Sequence, residues 1–127
     1  MGREPMTFNT LRAAAVLCFL ATPALAQKPD FAPFWSEFSA AAKAGDKAKV
    51  RALTRFPFLH MSDQRAEKDF DAIWKKLFTA KARACLGKGK PEWDKKGNLY
   101  VLFCGQIGFY FEPTAAGWRF TETGEND

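Results

Sequence analysis

The spacing of apolar residues changes once along this chain, and that change limits the architectures open to it. From Phe31 to Cys85 apolar positions recur every three to four residues, the period of helices; from Leu99 onward they alternate, the period of strands. Helices followed by strands point to an α+β domain in which helices cover one face of an antiparallel sheet, and not to alternating βαβ units.

In the helical half, Phe31, Phe34, Trp35, Phe38, Ala41 and Ala42 share one face of a first helix, with Asp30 as its cap and Pro33 in its first turn. Gly45 stops it, and Asp46 caps a second, short helix carrying Val50 and Leu53. Phe56-Pro57-Phe58 ends that helix, because proline lacks an amide donor and biases the residue before it away from helix; Leu59-His60-Met61 follows as a short extended piece. The longest helix is predicted to begin between Asp63 and Asp69 and to run to about Cys85, on the stripe Phe70, Ile73, Trp74, Leu77, Phe78. At about 100° per residue from Phe70, Cys85 falls near 60°, on that stripe, and Lys81 near 20°, in its middle. A lysine there either snorkels to the edge of the core or brings its ammonium to a pocket mouth, where it attracts a carboxylate or phosphate.

Leu86 to Gly97 reads as a basic loop containing Trp93, and Leu99–Cys104, Ile107–Phe111 and Trp118–Thr121 as about three strands. A two-residue turn at Gly105-Gln106 sets Cys104 opposite Ile107, Leu102 opposite Phe109 and Tyr100 opposite Phe111. An even-length turn within Pro113–Gly117 then sets Phe111 opposite Trp118. The helices cover the face bearing Tyr100, Leu102, Cys104, Ile107, Phe109, Phe111, Trp118 and Phe120. The opposite face carries Leu99, Val101, Phe103 and Tyr110 beside Glu112, Arg119 and Thr121. Either the loop with Trp93 covers it, or a partner does, a second copy of the chain or an envelope protein; Leu99, Val101, Phe103 and Arg119 are the candidate partner face. A pocket between helix and sheet has Trp74, Lys81, Tyr100 and Tyr110 as its candidate lining, and a small anionic ligand as its candidate occupant.

Residues 1–26 read as a secretory signal: Arg3 and Arg12 precede the uncharged run Ala13–Ala21, and Ala24-Leu25-Ala26 has the small-x-small form of a cut site before Gln27. A lipid anchor at Cys18 is the alternative, against which stands the bulky Leu17 where a small residue is required. The run is too short for a stable transmembrane span, and none longer follows. Residues 27–127 form one domain, periplasmic or secreted. Removing Arg3, Arg12 and Glu4 lowers the formal charge of +5 by one. Cys85 and Cys104 remain, and in an oxidising compartment they are read as one disulfide.

The residue types exclude much chemistry. His60 is the single histidine, so with two bonded cysteines the usual zinc ligand sets cannot be assembled and no metal or cofactor is expected. Ser62 and Asp63 adjoin it without a nucleophile elbow. Asp69 and Asp71 project about 200° apart on a helix and read as helix-start acids; Glu92 and Asp94 read as solvated ion-pair partners. Gly87-Lys88-Gly89-Lys90 follows a helix, the wrong context for a phosphate loop. No catalytic set emerges. Lys75, Lys76, Arg83, Lys88, Lys90, Lys95 and Lys96 cluster near one helix end, either as a solvated face or as a dock for anionic lipid or an acidic protein; without interleaved stacking residues, nucleic acid is not expected.

Phe34-Trp35, Phe38, Ala42, Gly45-Asp46, Val50, Leu53 and Phe56-Pro57-Phe58, followed by Phe70-Asp71, Ile73-Trp74, a glycine-bearing strand pair and Gly117-Trp118, resemble small exported bacterial domains of the nuclear transport factor two superfamily, the cystatin-like cone. The resemblance covers about residues 31–121. It implies a curved antiparallel sheet wrapped on a long helix, a pocket between them, and frequent dimerisation through the sheet. The segment between Phe58 and Asp69 is short for the hairpin of that pattern. The superfamily includes isomerases and dehydratases, but no catalytic motif of theirs matches here. The expectation is an exported, non-enzymatic module binding a small ligand or a protein. The alternative is a cofactor-free isomerase or hydrolase using a pocket acid with Tyr100 or Tyr110 as hydrogen-bond donor.

Overall fold

The computed structural model of the chain describes Lys28 and residues 30–125; the expected leader over residues 1–26 lies outside the described residues. Its elements are α1 (Phe31–Ala44), α2 (Lys47–Ala52), β1 (Thr54–His60), β2 (Asp63–Arg65), a 3-10 turn (Glu67–Asp69), α3 (Phe70–Leu77), α4 (Ala80–Lys88), β3 (Glu92–Asp94), β4 (Leu99–Cys104), β5 (Ile107–Thr114) and β6 (Gly117–Glu125). The class is α+β, as the change of period predicts. The sheet, however, has six strands and not about three, in the order β2-β1-β6-β5-β4-β3, and it is mixed, because β1 runs parallel to β6.

The extra strands are β1, of which only Leu59-His60 is expected from sequence to be extended, β2, and β3. β1 contains Pro57, but its pairing with β6 is irregular between Thr54 and Leu59, and a bulge is where a strand tolerates a residue without an amide donor. β2 follows through a two-residue turn in which Met61 (φ 51°) and Ser62 (φ 78°) are both left-handed, so the short segment before Asp69 does close a hairpin. β3 lies within the expected loop and sets Trp93 opposite Tyr100.

The β4–β5 register is as predicted, with Cys104 opposite Ile107, Leu102 opposite Phe109 and Tyr100 opposite Phe111. The second hairpin differs: Phe111 faces Phe120, Pro113 faces Trp118, and Thr114 faces Gly117 across Ala115-Ala116. Thr114 fixes this turn, its hydroxyl donating to the Gly117 carbonyl (2.7 Å) and accepting from the Ala116 amide (3.1 Å). The extra residue of a bulge, Thr121 on β6, shifts that strand's phase, so Phe120 and Thr123, three residues apart, both stand inward opposite Phe111 and Phe109.

The helices pack against the inner face through aromatic rings. Phe31 stacks on Tyr100 at 3.8 Å, Phe38 sits edge-on to Phe111 at 5.1 Å, and Phe78 meets Phe109 at 5.9 Å and Phe120 at 6.0 Å. Phe31, Phe38, Phe58, Phe70, Phe109, Phe111 and Phe120 are fully buried, each contributing roughly 1.5–3 kcal/mol of transfer free energy. At the helix ends, Asp46 accepts from the Lys49 amide (3.1 Å) as its position predicts, whereas Asp30 sits at φ 68° and makes no side-chain cap.

The predicted single long helix is two. Phe78 leaves helical geometry (ψ 57°), and the Thr79 hydroxyl accepts from the Ala82 amide (3.2 Å), capping a new helix. The break lets Phe78 stack on Trp74 at 4.5 Å and face the sheet, a gain in buried ring area that outweighs continuing the helix. It also cancels the phase that put Lys81 in the core stripe.

Candidate functional site

α4 approaches the sheet through Ala82 and Cys85 before Leu86 fills the core. These two are small, and opposite them stand Cys104, Gly105 and Ile107. The result is a cavity of about 660 Å³ between the end of α3, the first turns of α4 and the tip of the β4–β5 hairpin, in the size range of small-molecule sites. Leu77, Ala82, Ile107 and Phe109 give it apolar walls, with Met61 from the β1–β2 turn. The Cys85–Cys104 disulfide, predicted from sequence, is part of the wall and ties α4 to β4 with Cα atoms 5.9 Å apart.

The polar groups on the cavity are Lys76, Thr79, Lys81, His60 and Glu125. Thr79 is committed to its helix cap. His60 is 7% exposed, and Thr123, its register partner on β6, holds Nδ1 through a hydroxyl at 2.9 Å. Burial, and then the positive charges of Lys76 and Arg65, push the imidazole below its ordinary pKa against the opposing pull of Asp63, so the ring is neutral at neutral pH. No serine–histidine pair forms: Ser62 is exposed in the turn, and Asp63 pairs with Arg65 at 3.8 Å.

Of the four predicted pocket residues, the structure brings only Lys81 to the cavity, exposed at its rim. Trp74 is spent stacking on Phe78. Tyr100 is buried beneath Phe31, its hydroxyl accepting from the Lys28 amide at 2.9 Å. Tyr110 lies on the other face of the sheet, opposite Glu122; burial, Glu122 and Asp94 raise its pKa. Ile107, Met61, Glu125 and Thr79 line the cavity without having been placed at a pocket from sequence, and Thr123 holds His60 from behind the wall. Thr79 carried a readable signal, a cap-forming residue placed directly after an apolar pair. The others meet only through the β1–β6 and β5–β6 pairings, the first of which no local pattern announces.

On the outer face, Leu99 and Val101 are half-buried and Phe103 is 42% exposed. Trp93 does not cover them, because it pairs with Tyr100 on the inner side, beneath the Lys28 ammonium at 4.7 Å. Phe103 instead lies over Gly108, where an added Cβ would stand 2.7 Å from its ring. Arg119 donates to the Trp118 carbonyl at 2.7 Å. Asp71 pairs with Lys47 (3.0 Å) and Arg51 (3.3 Å), while Asp94 accepts the amides of Lys96 and Gly97 and not an ion-pair partner.

Among the described residues no group of three or more histidine, cysteine, aspartate or glutamate side chains is placed to hold a metal ion, and no helix is long and apolar enough to cross a membrane. Comparison of the chain with family models, with curated proteins and with solved structures finds no match in any of the three.

Proposed function

We propose that this protein is an exported binding module that takes a small, largely apolar molecule into the cavity between α4 and the sheet. The observation that carries this reading is the open cavity of about 660 Å³ beside an aromatic, filled core, walled by Leu77, Ala82, Ile107, Phe109 and a disulfide. Apolar walls with a few convergent polar groups are the usual make-up of a small-molecule site. The runner-up, a pocket acid working with Tyr100 or Tyr110, has less support, since neither tyrosine lines the cavity. Helices packed on one face of a sheet, with a cavity between, support membership of the nuclear transport factor two superfamily. The cysteine pair and the leader-like residues 1–26 support a periplasmic or secreted location.

Titration with the neutral fluorescent probe N-phenyl-1-naphthylamine tests the reading. Saturable uptake is expected, lost in Ala82→Trp, whose indole occupies the space, while far-ultraviolet circular dichroism stays unchanged. Equal uptake by both proteins would place the probe elsewhere and remove the support. A second reading, association of two copies or with an envelope protein through Leu99, Val101, Phe103 and Arg119, draws on the exposed Phe103 ring. A dimer in light scattering, dissociated by Val101→Asp, is its expected mark.

A further inference from the structure

We infer that the cavity is built for an anionic amphiphile, an apolar body ending in a carboxylate or phosphate, whose head is held at the rim by Lys76 and Lys81. The inference rests on the binding reading above and adds the ligand's chemical class. Lys76 lies in the last turn of α3 and Lys81 in the first turn of α4, so the break at Phe78–Thr79 brings lysines of two different helices to one mouth. Among the described residues neither Lys76 nor Lys81 has a carboxylate within ion-pairing distance, as is also true of Lys75, Lys88 and Lys90; what distinguishes the pair is that both line the cavity. Among the described residues Glu125 is the one acid lining the cavity, and it lies within ion-pairing distance of neither lysine.

Deeper in, His60 is more than nine-tenths buried and lines the same space, and with Nδ1 engaged by Thr123 its Nε2 has no protein partner among the described residues. Thr79, Lys81 and Ala82 from the start of α4 line the same mouth. Cations at a rim above apolar walls select a ligand with one charged end. A uniformly polar anion would leave the walls wet, and a neutral apolar molecule would leave both ammonium groups unused.

Displacement of bound N-phenyl-1-naphthylamine by decanoate, decyl phosphate and decan-1-ol distinguishes the possibilities. Both anions are expected to bind at least tenfold more tightly than the alcohol, and the Lys76→Ala/Lys81→Ala protein is expected to lose about tenfold for the anions and nothing for the alcohol. Both lysines are exposed, so the double variant keeps the core intact. The ratio of decanoate to decyl phosphate identifies the head group. Equal affinity for all three compounds, unchanged in the double variant, would overturn the assigned ligand class while leaving the cavity a binding site. Absence of probe uptake in the wild-type protein would overturn the binding reading and this inference with it.

Discussion

Removing the Cys85–Cys104 bond tests the architecture and the site together. The bond closes a loop of 19 residues, and cross-linking a loop of that length removes roughly 3 kcal/mol of unfolded-state entropy on the chain-entropy account. A domain of this size has about 5–10 kcal/mol of total stability, so the loss is a large fraction of the whole. With a urea slope of about 1–1.5 kcal/mol per molar, the midpoint of the Cys85→Ala/Cys104→Ala protein should fall by about 2–3 M. Trp74 and Trp118, both packed in the aromatic core, report the transition by fluorescence. Reduction of the wild-type protein should give the same shift, because both routes remove the same constraint. The cavity should loosen too, since α4 is then held to β4 by packing alone, and probe affinity should drop in parallel. A midpoint shift below about 0.5 M, or two titratable thiols in the native protein, would refute the reasoning.

Other substitutions probe particular elements. Ser62→Gly relieves a left-handed residue (φ 78°) at about 1–2 kcal/mol, against about 0.4–1 kcal/mol of added unfolded-state freedom, so it should raise Tm by a few degrees in calorimetry. Gly87→Val should destabilise by about 1–3 kcal/mol in urea unfolding, because an added Cβ there meets the Lys43 Cβ at 2.8 Å and forces α1 and α4 apart. Glu122 has its carboxyl pKa raised by burial first and then by Glu112, with Arg55 opposing. The folded state therefore holds the proton more tightly than the unfolded one, and the ionised form is the destabilising one. Glu122→Gln should raise Tm at pH 7, and the gain should shrink as the pH falls through the raised value and vanish below the ordinary value of 4.5.

Much of the fold was legible because it follows from local chemistry. The period of Phe31, Phe34 and Phe38 marks α1, Asp46 marks the start of α2, and the Gly105-Gln106 turn sets the register of β4 against β5. The cysteine pair joins helix to sheet where the stripe through Phe70 and the alternation through Cys104 both point inward. Of the site, Lys81 was singled out, though for a place in an unbroken helix that it does not occupy.

What the chain could not disclose locally is what forms between distant segments. Thr54–His60 is a strand because β6 offers it a parallel edge across more than sixty residues, and that pairing overrides the proline within it. Trp93 turns inward because β4 supplies a partner for β3. The helix stops at Phe78 because burying that ring against Phe109 and Phe120 outweighs one more turn of hydrogen bonds. Residue order therefore determines the class of fold, the disulfide and one strand register, all matters of periodicity and short-range geometry. The cavity and its polar groups are decided by tertiary packing, since His60 meets Thr123, and Lys76 and Lys81 come to line one mouth, only once the sheet and the broken helix have closed around the same space.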